Sequence, residues 1–147
     1  MAAELLRRYP DVRITATDFD PAMVELAGET LRPFRERATV RQADATSLPF
    51  EAETFDCVLS FIMLHHVGRW EDALAESVRV LRAGGLLAGY DLVESAVTRA
   101  LHRLGPSHGE RLVGLDELEP MLARLPLTQI DVTPSIGLLV RFSARKG

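Results

Sequence analysis

Two short apolar runs around the stretch VRQADATSLPFEAETFDCVLSFIMLHHV, Val40 to Val67, constrain the chain more than any other feature. The first, Thr39 to Gln42, breaks at Asp44; the second, Phe55 to Met63, runs on into Leu64-His65-His66. Unalternating runs of this length that close on polar residues suit strands covered on both faces, as in a parallel sheet with helices above and below. Open sheets of that kind bind ligands outside the carboxyl ends of their strands, so Asp44, Ser60 and Phe61 are the first positions to weigh.

The flanking segments extend the same pattern. Ala2 to Tyr9 places Leu5, Leu6 and Tyr9 on one helical stripe and ends at Pro10-Asp11. Val12 to Thr17 is rich in β-branched residues and predicts a strand finishing at Asp18. Asp20-Pro21 starts a helix, because the carboxylate accepts from orphan amides and proline at the first helical position gives up no bond. Met23, Leu26, Ala27 and Leu31 supply its expected buried stripe, and Pro33 is expected to end or kink it near Arg32. After the loop Thr46 to Thr54 and the long apolar run, Glu71 and Asp72 mark a helix amino terminus. Ala73, Leu74, Ser77, Val78 and Leu81 form the apolar face of that helix, and Gly84-Gly85 is expected to cap it.

Leu86 to Gly89 predicts a further strand, ending at Tyr90-Asp91. Residues 93–114 are irregular and are expected to form a lid or substrate segment. Asp116 and Glu119 have capping-box spacing for a helix reaching Arg124. Leu127 to Val132 and Ile136 to Phe142 are joined only by Thr133-Pro134-Ser135, too short for a crossover, and therefore predict an antiparallel pair at a sheet edge.

A length of 147 residues, 47% of them hydrophobic, suits one soluble domain spanning 1–147. A net charge of −4 does not provide the basic face that nucleic acid requires. The run Arg32, Arg35, Arg37, Arg41 reads as a solvated helix end. Cys57 is the only cysteine, so no intramolecular disulfide forms, and its place in an apolar run predicts a buried, inert thiol. No stretch approaches the roughly 20 apolar residues of a membrane span, the acidic start is not a signal peptide, and the cytoplasm is the expected compartment. His65 and His66 are adjacent, which is not a spacing that converges on a metal.

The pieces TATDFDPAMVELA, RQADATSLPFEAETFDCVLSFIMLHHV and RVLRAGGLLAGYDL, in this order and spacing, resemble the class I S-adenosylmethionine-dependent methyltransferases, in the small-molecule branch related to quinone and sterol methyltransferases. The resemblance covers residues 1–93 most closely. It implies a Rossmann-like α/β fold, a mostly parallel sheet with helices on both faces and an antiparallel carboxyl-terminal strand pair. It also implies S-adenosylmethionine as cofactor and a small-molecule methyl acceptor. Asp18 matches the acidic residue that accepts from both ribose hydroxyls, an arrangement suited to an acceptor-only group. Phe19 follows it and would pack on the adenine face. Asp44 matches the acceptor for the adenine amino group, with the Ala45 amide donating to the ring. Ser60 and Phe61 match the region beside the methionine moiety, where backbone carbonyls accept from its ammonium.

The chain departs from the family at its start. The strand and GxGxG turn that precede the first helix in these enzymes are absent, which leaves the first central strand missing and implies a shortened chain. With that gap the neighbouring strands are expected to pair with each other, to accept a strand from another chain, with a homodimer as one outcome, or to leave ladder groups unpaired.

Methyl transfer is an in-line displacement at a sulfonium methyl, so the protein mainly supplies alignment and water exclusion. A base is needed only when the nucleophile carries a proton, and His66, His65 and Asp91 stand near strand ends where they could serve. The histidine pair has a competing reading as packing at the sheet edge. Two other functions are weighed. A non-catalytic binding or dimerisation module would show self-association without cofactor affinity. A nucleotide-dependent oxidoreductase could use Asp18 on a ribose, but the chain lacks a GxGxxG.

Overall fold

The computed structural model describes residues 1–92, 113–135 and 139–147, apart from the side chain of Leu115. They form two compact units, Met1–Ala45 and Thr46–Gly147. The expected lid falls almost wholly outside the described residues, as do residues 136–138 between the last two strands.

The first unit contains helix α1 (Ala2–Arg8), strand β1 (Ile14–Asp18), helix α2 (Pro21–Leu31), a 3-10 turn (Arg32–Phe34) and strand β2 (Ala38–Gln42). β1 and β2 pair in parallel, in register from Ile14 opposite Ala38 to Asp18 opposite Gln42, with α2 as the crossover that such a pair requires. α2 starts where its sequence predicts: Asp20 Oδ1 accepts from Ala22 N at 2.8 Å and Pro21 follows. Pro33 ends it by tightening the chain into the 3-10 turn rather than kinking the helix. The core is Ala3, Leu6 and Leu31, with Ile14, Ala16, Phe34, Ala38 and Val40 packed against it.

Two expectations shift here. The buried side of α2 runs through Val24, Ala27, Gly28 and Leu31, at helical spacing, while Met23 and Leu26 are exposed. Arg37, expected to be solvated, instead turns its guanidinium onto the end of α1. It donates to the carbonyls of Leu6 at 2.9 Å, Tyr9 at 3.1 Å and Val12 at 3.2 Å. A planar fork of donors suits the orphan carbonyls at a helix carboxyl end.

The second unit contains β3 (Phe55–Phe61), a 3-10 turn (Leu64–His66), α3 (Trp70–Val80), β4 (Leu81–Leu92), α4 (Leu115–Arg124), β5 (Leu127–Pro134) and β6 (Leu139–Lys146). The strand order is β3-β4-β6-β5. β3 and β4 are parallel, and β6 runs antiparallel to both β4 and β5, which leaves β5 at the edge. Trp70, Ala73, Leu74, Ser77 and Val78 form the buried stripe of α3. Leu87, Val140, Phe142, Leu118 and Leu122 are among the other buried apolar residues of this unit.

The helix ends earlier than its glycines suggest. α3 stops at Val80, and Leu81 turns extended (φ −79°, ψ 138°) to pair with Phe55. Gly84, at φ +73°, serves instead the irregular stretch in which Asp56 of β3 stands against residues 82–85 of β4. α4 also begins earlier than expected, with the Gly114 N–H donating to Glu117 Oε2 at 3.4 Å in place of a box between Asp116 and Glu119. Cys57 is exposed, contrary to its expected burial, because β3 is the terminal strand of its sheet. Partial burial still pushes its thiol above the ordinary value, with Arg145 opposing and Asp56 adding to the shift.

The loop before β3 is fastened to α3 by two side chains. Glu76 Oε2 accepts from Leu48 N at 2.8 Å, and Arg79 donates to the carbonyls of Phe50 at 2.9 Å and Leu48 at 3.1 Å. Arg79 also pairs with Glu76 at 2.6 Å, and its hydrogen bond is the main reason the Glu76 carboxyl lies below the usual range. Glu76→Ala is therefore expected to speed amide exchange at Leu48 by about tenfold, the equivalent of one hydrogen bond to a charged acceptor. Residue-resolved hydrogen exchange reads this directly, and an unchanged rate would show that Arg79 alone holds the loop.

Candidate functional site

In the first unit the carboxyl ends of β1 and β2 lie side by side, since Asp18 is level with Gln42 and Ala43 N donates to the Asp18 carbonyl at 2.9 Å. This brings Asp18, Phe19, Asp44 and Ala45 to one end of a parallel pair, the ligand-binding edge of such a sheet. Asp18 is exposed and uses Oδ1 to accept from Asp20 N at 3.0 Å, an Asx turn. Phe19 is 72% exposed, a large apolar ring with no protein surface over most of it. Asp44 is exposed and Ala45 is half-buried.

In the second unit Ser60 and Phe61 end β3, opposite Gly89 and Tyr90. The Phe61 and Tyr90 rings meet with centroids 5.1 Å apart. The Ser60 hydroxyl is buried and has no hydrogen-bond partner among the described residues. Ile62 follows at φ +48°, a strained conformation for a β-branched residue, and its amide donates to the Tyr90 carbonyl at 2.9 Å. That sharp turn sends the chain into the Leu64–His66 turn.

Asp91 organises this turn from the end of β4. It is fully buried; Oδ2 accepts from Met63 N at 2.8 Å and Leu64 N at 2.7 Å, and Oδ1 from Leu92 N at 2.8 Å. The His65 Nδ1–H donates to the same Oδ1 at 2.5 Å. Burial alone would push the Asp91 carboxyl up, but these hydrogen bonds outweigh it and hold the group below the ordinary carboxylate range. His65 is buried with it, whereas His66 is exposed and lies against the His65 ring at a centroid distance of 3.9 Å. The expected packing role thus fits His65, and Asp91 is saturated by protein donors; His66 is the member of the three that faces solvent. His102 and His108 lie outside the described residues.

Among the described residues no group of three His, Cys, Asp or Glu gathers as a metal site, and no helix is long and apolar enough to cross a membrane.

Residues 1–89 match the family described as the methyltransferase domain. The chain belongs to this family. This methyltransferase domain is 34% identical over 86 residues to a demethylmenaquinone methyltransferase of Deinococcus radiodurans, covering 58% of this chain and 36% of the relative. It is 35% identical over 83 residues to the erythromycin 3''-O-methyltransferase of Saccharopolyspora erythraea, covering 55% of this chain and 27% of the relative. The domain therefore spans well under half the length of these relatives. The geranyl diphosphate C-methyltransferase of Streptomyces coelicolor A3(2), solved with S-adenosyl-L-homocysteine, superposes with a TM-score of 0.82 at 13% identity, over 99% of this chain and 66% of that one. That likeness establishes the Rossmann-like α/β fold, here with two parallel and two antiparallel strand pairs among the described residues.

Two residues of the site escaped the sequence reading. Tyr90 was expected only as a strand end, yet its ring backs Phe61. Gln42 was expected only as the last residue of an apolar run, yet its side chain reaches Phe19. The signal available for Gln42 was its position two residues before Asp44 at a strand's carboxyl end.

Proposed function

We propose that this methyltransferase domain binds S-adenosylmethionine and serves methyl transfer to a small-molecule acceptor. The observation that carries the reading is the juxtaposition of Asp18, the exposed Phe19 ring and Asp44 at the ends of two paired parallel strands. An acceptor-only carboxylate suits a vicinal diol, a second carboxylate suits an exocyclic amine, and an uncovered aromatic ring suits a purine face. The buried Ser60 hydroxyl, without a hydrogen-bond partner among the described residues, suits the polar moiety that the family resemblance implies there.

When bound, the cofactor supplies an electrophilic methyl on a sulfonium. In this reading the chain's own residues bind, orient and shield. Asp18 and Asp44 fix the adenosine end, and the family resemblance alone assigns Ser60 and Phe61 to the methionine end. His66 takes a proton when the acceptor's nucleophile must lose one. Asp91 enters as a positioning group, because its oxygens already hold four donors and its surface is closed to a substrate. The acceptor is a small molecule methylated at carbon or oxygen, in line with the C- and O-methyltransferases among the relatives, which disfavour a non-catalytic module.

Titration of the chain with S-adenosyl-L-homocysteine by calorimetry tests the reading. Saturable binding is expected, and Asp18→Asn, which replaces one acceptor by a donor, is expected to weaken it about tenfold. Absence of binding by the unsubstituted chain would overturn the reading, and equal affinity in the variant would remove Asp18 from the proposed site.

A further inference from the structure

Gln42 ends β2 opposite Asp18, and its side chain leaves the strand to meet the neighbouring turn. Nε2 donates to the Phe19 carbonyl at 3.0 Å, while the next amide, Ala43 N, donates to the Asp18 carbonyl at 2.9 Å. The two bonds lie one after the other on the same short turn between β1 and α2. The Phe19 carbonyl has no share in the adjoining helix, whose first backbone bond runs from Val24 N to the Asp20 carbonyl at 3.0 Å. It also lies beyond the last rung of the β1–β2 ladder. A side-chain donor from β2 is therefore the group that fixes it.

The chemistry of that donor matters. Asp18 and Asp44 flank the position, and a lysine or arginine there would pair with them and occupy acceptors needed by a ligand. A neutral amide supplies the N–H without a competing cation. The same bond joins the segment carrying Asp18 and Phe19 to the segment that leads into Asp44.

We infer that Gln42 is a positioning residue for adenosine recognition, locking the Asp18-Phe19 turn to the Asp44 loop so that the diol acceptor and the exposed ring are presented together. This inference rests on the proposal that Asp18, Phe19 and Asp44 hold an adenosine. Gln42 touches no ligand atom in this role; it acts through the turn.

The test compares 5′-methylthioadenosine with its 2′-deoxy analogue by calorimetry on the intact chain. The ratio of the two affinities reports the hold of Asp18 on the diol, a quantity that general loosening of the fold does not move. Gln42→Leu is expected to weaken 5′-methylthioadenosine about fivefold, one hydrogen bond's worth, and to bring the ratio towards one, with the melting temperature falling by no more than a few degrees. Gln42→Glu, which keeps the length but replaces the donor by an acceptor, is expected to do the same. Binding by the unsubstituted chain with the ratio preserved in both variants would overturn the positioning role alone. Failure of the unsubstituted chain to bind either nucleoside would overturn the adenosine reading and this inference with it.

Discussion

Asp91→Ala is expected to destabilise the Thr46–Gly147 unit by about 3 to 5 kcal/mol, the range found when one partner of a buried polar pair is removed. The residue is 0% exposed and its oxygens accept from the amides of Met63, Leu64 and Leu92 and from His65 Nδ1. Alanine leaves those donors facing an apolar cavity, and each buried donor without a partner costs on the order of 1 to 3 kcal/mol. Against a typical total of about 5 to 15 kcal/mol the loss is a large fraction of the fold's stability. Thermal denaturation followed by circular dichroism measures it, and a melting temperature within a degree or two of the parent would refute the organising role. The same carboxylate sets an acid limit. Its folded-state pKa is depressed, so its stabilisation is complete above the unfolded value, near pH 4, and is lost as pH falls through the lower folded value. Urea midpoints between about pH 2 and 5 should fall less steeply in Asp91→Asn than in the parent; Glu76, also depressed, accounts for part of the slope that remains.

Gly89→Ala is expected to cost about 3 kcal/mol, at the upper end of overpacking penalties. A Cβ at this position would stand 2.2 Å from the Ser60 carbonyl oxygen and 2.7 Å from the Phe142 ring. The first neighbour is backbone of the paired strand and cannot swing aside, so β3 and β4 must move apart at Ser60. Guanidinium unfolding gives the cost, and the Ser60 amide shift reports the strand displacement. A variant as stable as the parent would show that the strands separate freely. Phe142→Leu in the Gly89→Ala background is expected to recover little, because it relieves only the ring contact.

What could be read from the sequence were the elements governed by local rules. Asp20-Pro21 announces α2 because an N-cap and a first-turn proline act within a few residues, and the apolar stripe of α3 is unambiguous because its opposite face is charged. The strand ends that carry Asp18, Asp44, Ser60 and Phe61 were legible for the same reason, each closing an apolar run. The errors arose where two local solutions were nearly equal. Met23 and Leu26 compete with Val24 and Gly28 for one side of α2, and both stripes share Ala27 and Leu31, so only the position of the β1–β2 pair decides. Asp116, Glu117 and Glu119 offer more than one capping register for α4. Gly84 fits a helix cap as well as a bulge, and the demand for Leu81 in the strand settles it. Cys57, Gln42 and Arg37 depend on neighbours remote in sequence, which no window along the chain contains.

Arg37 gives α1 a particular character. A helix of 7 residues is far below the roughly 12 to 15 at which an isolated helix holds in water. Its carboxyl end is closed by a guanidinium that arrives from 25 to 31 residues later in the chain, just before β2. α1 is therefore a consequence of tertiary structure, ordered once the β1-α2-β2 unit has brought Arg37 into place. Its amides should exchange in a single cooperative step with those of residues 32–38, with no independent fraying of its last turn.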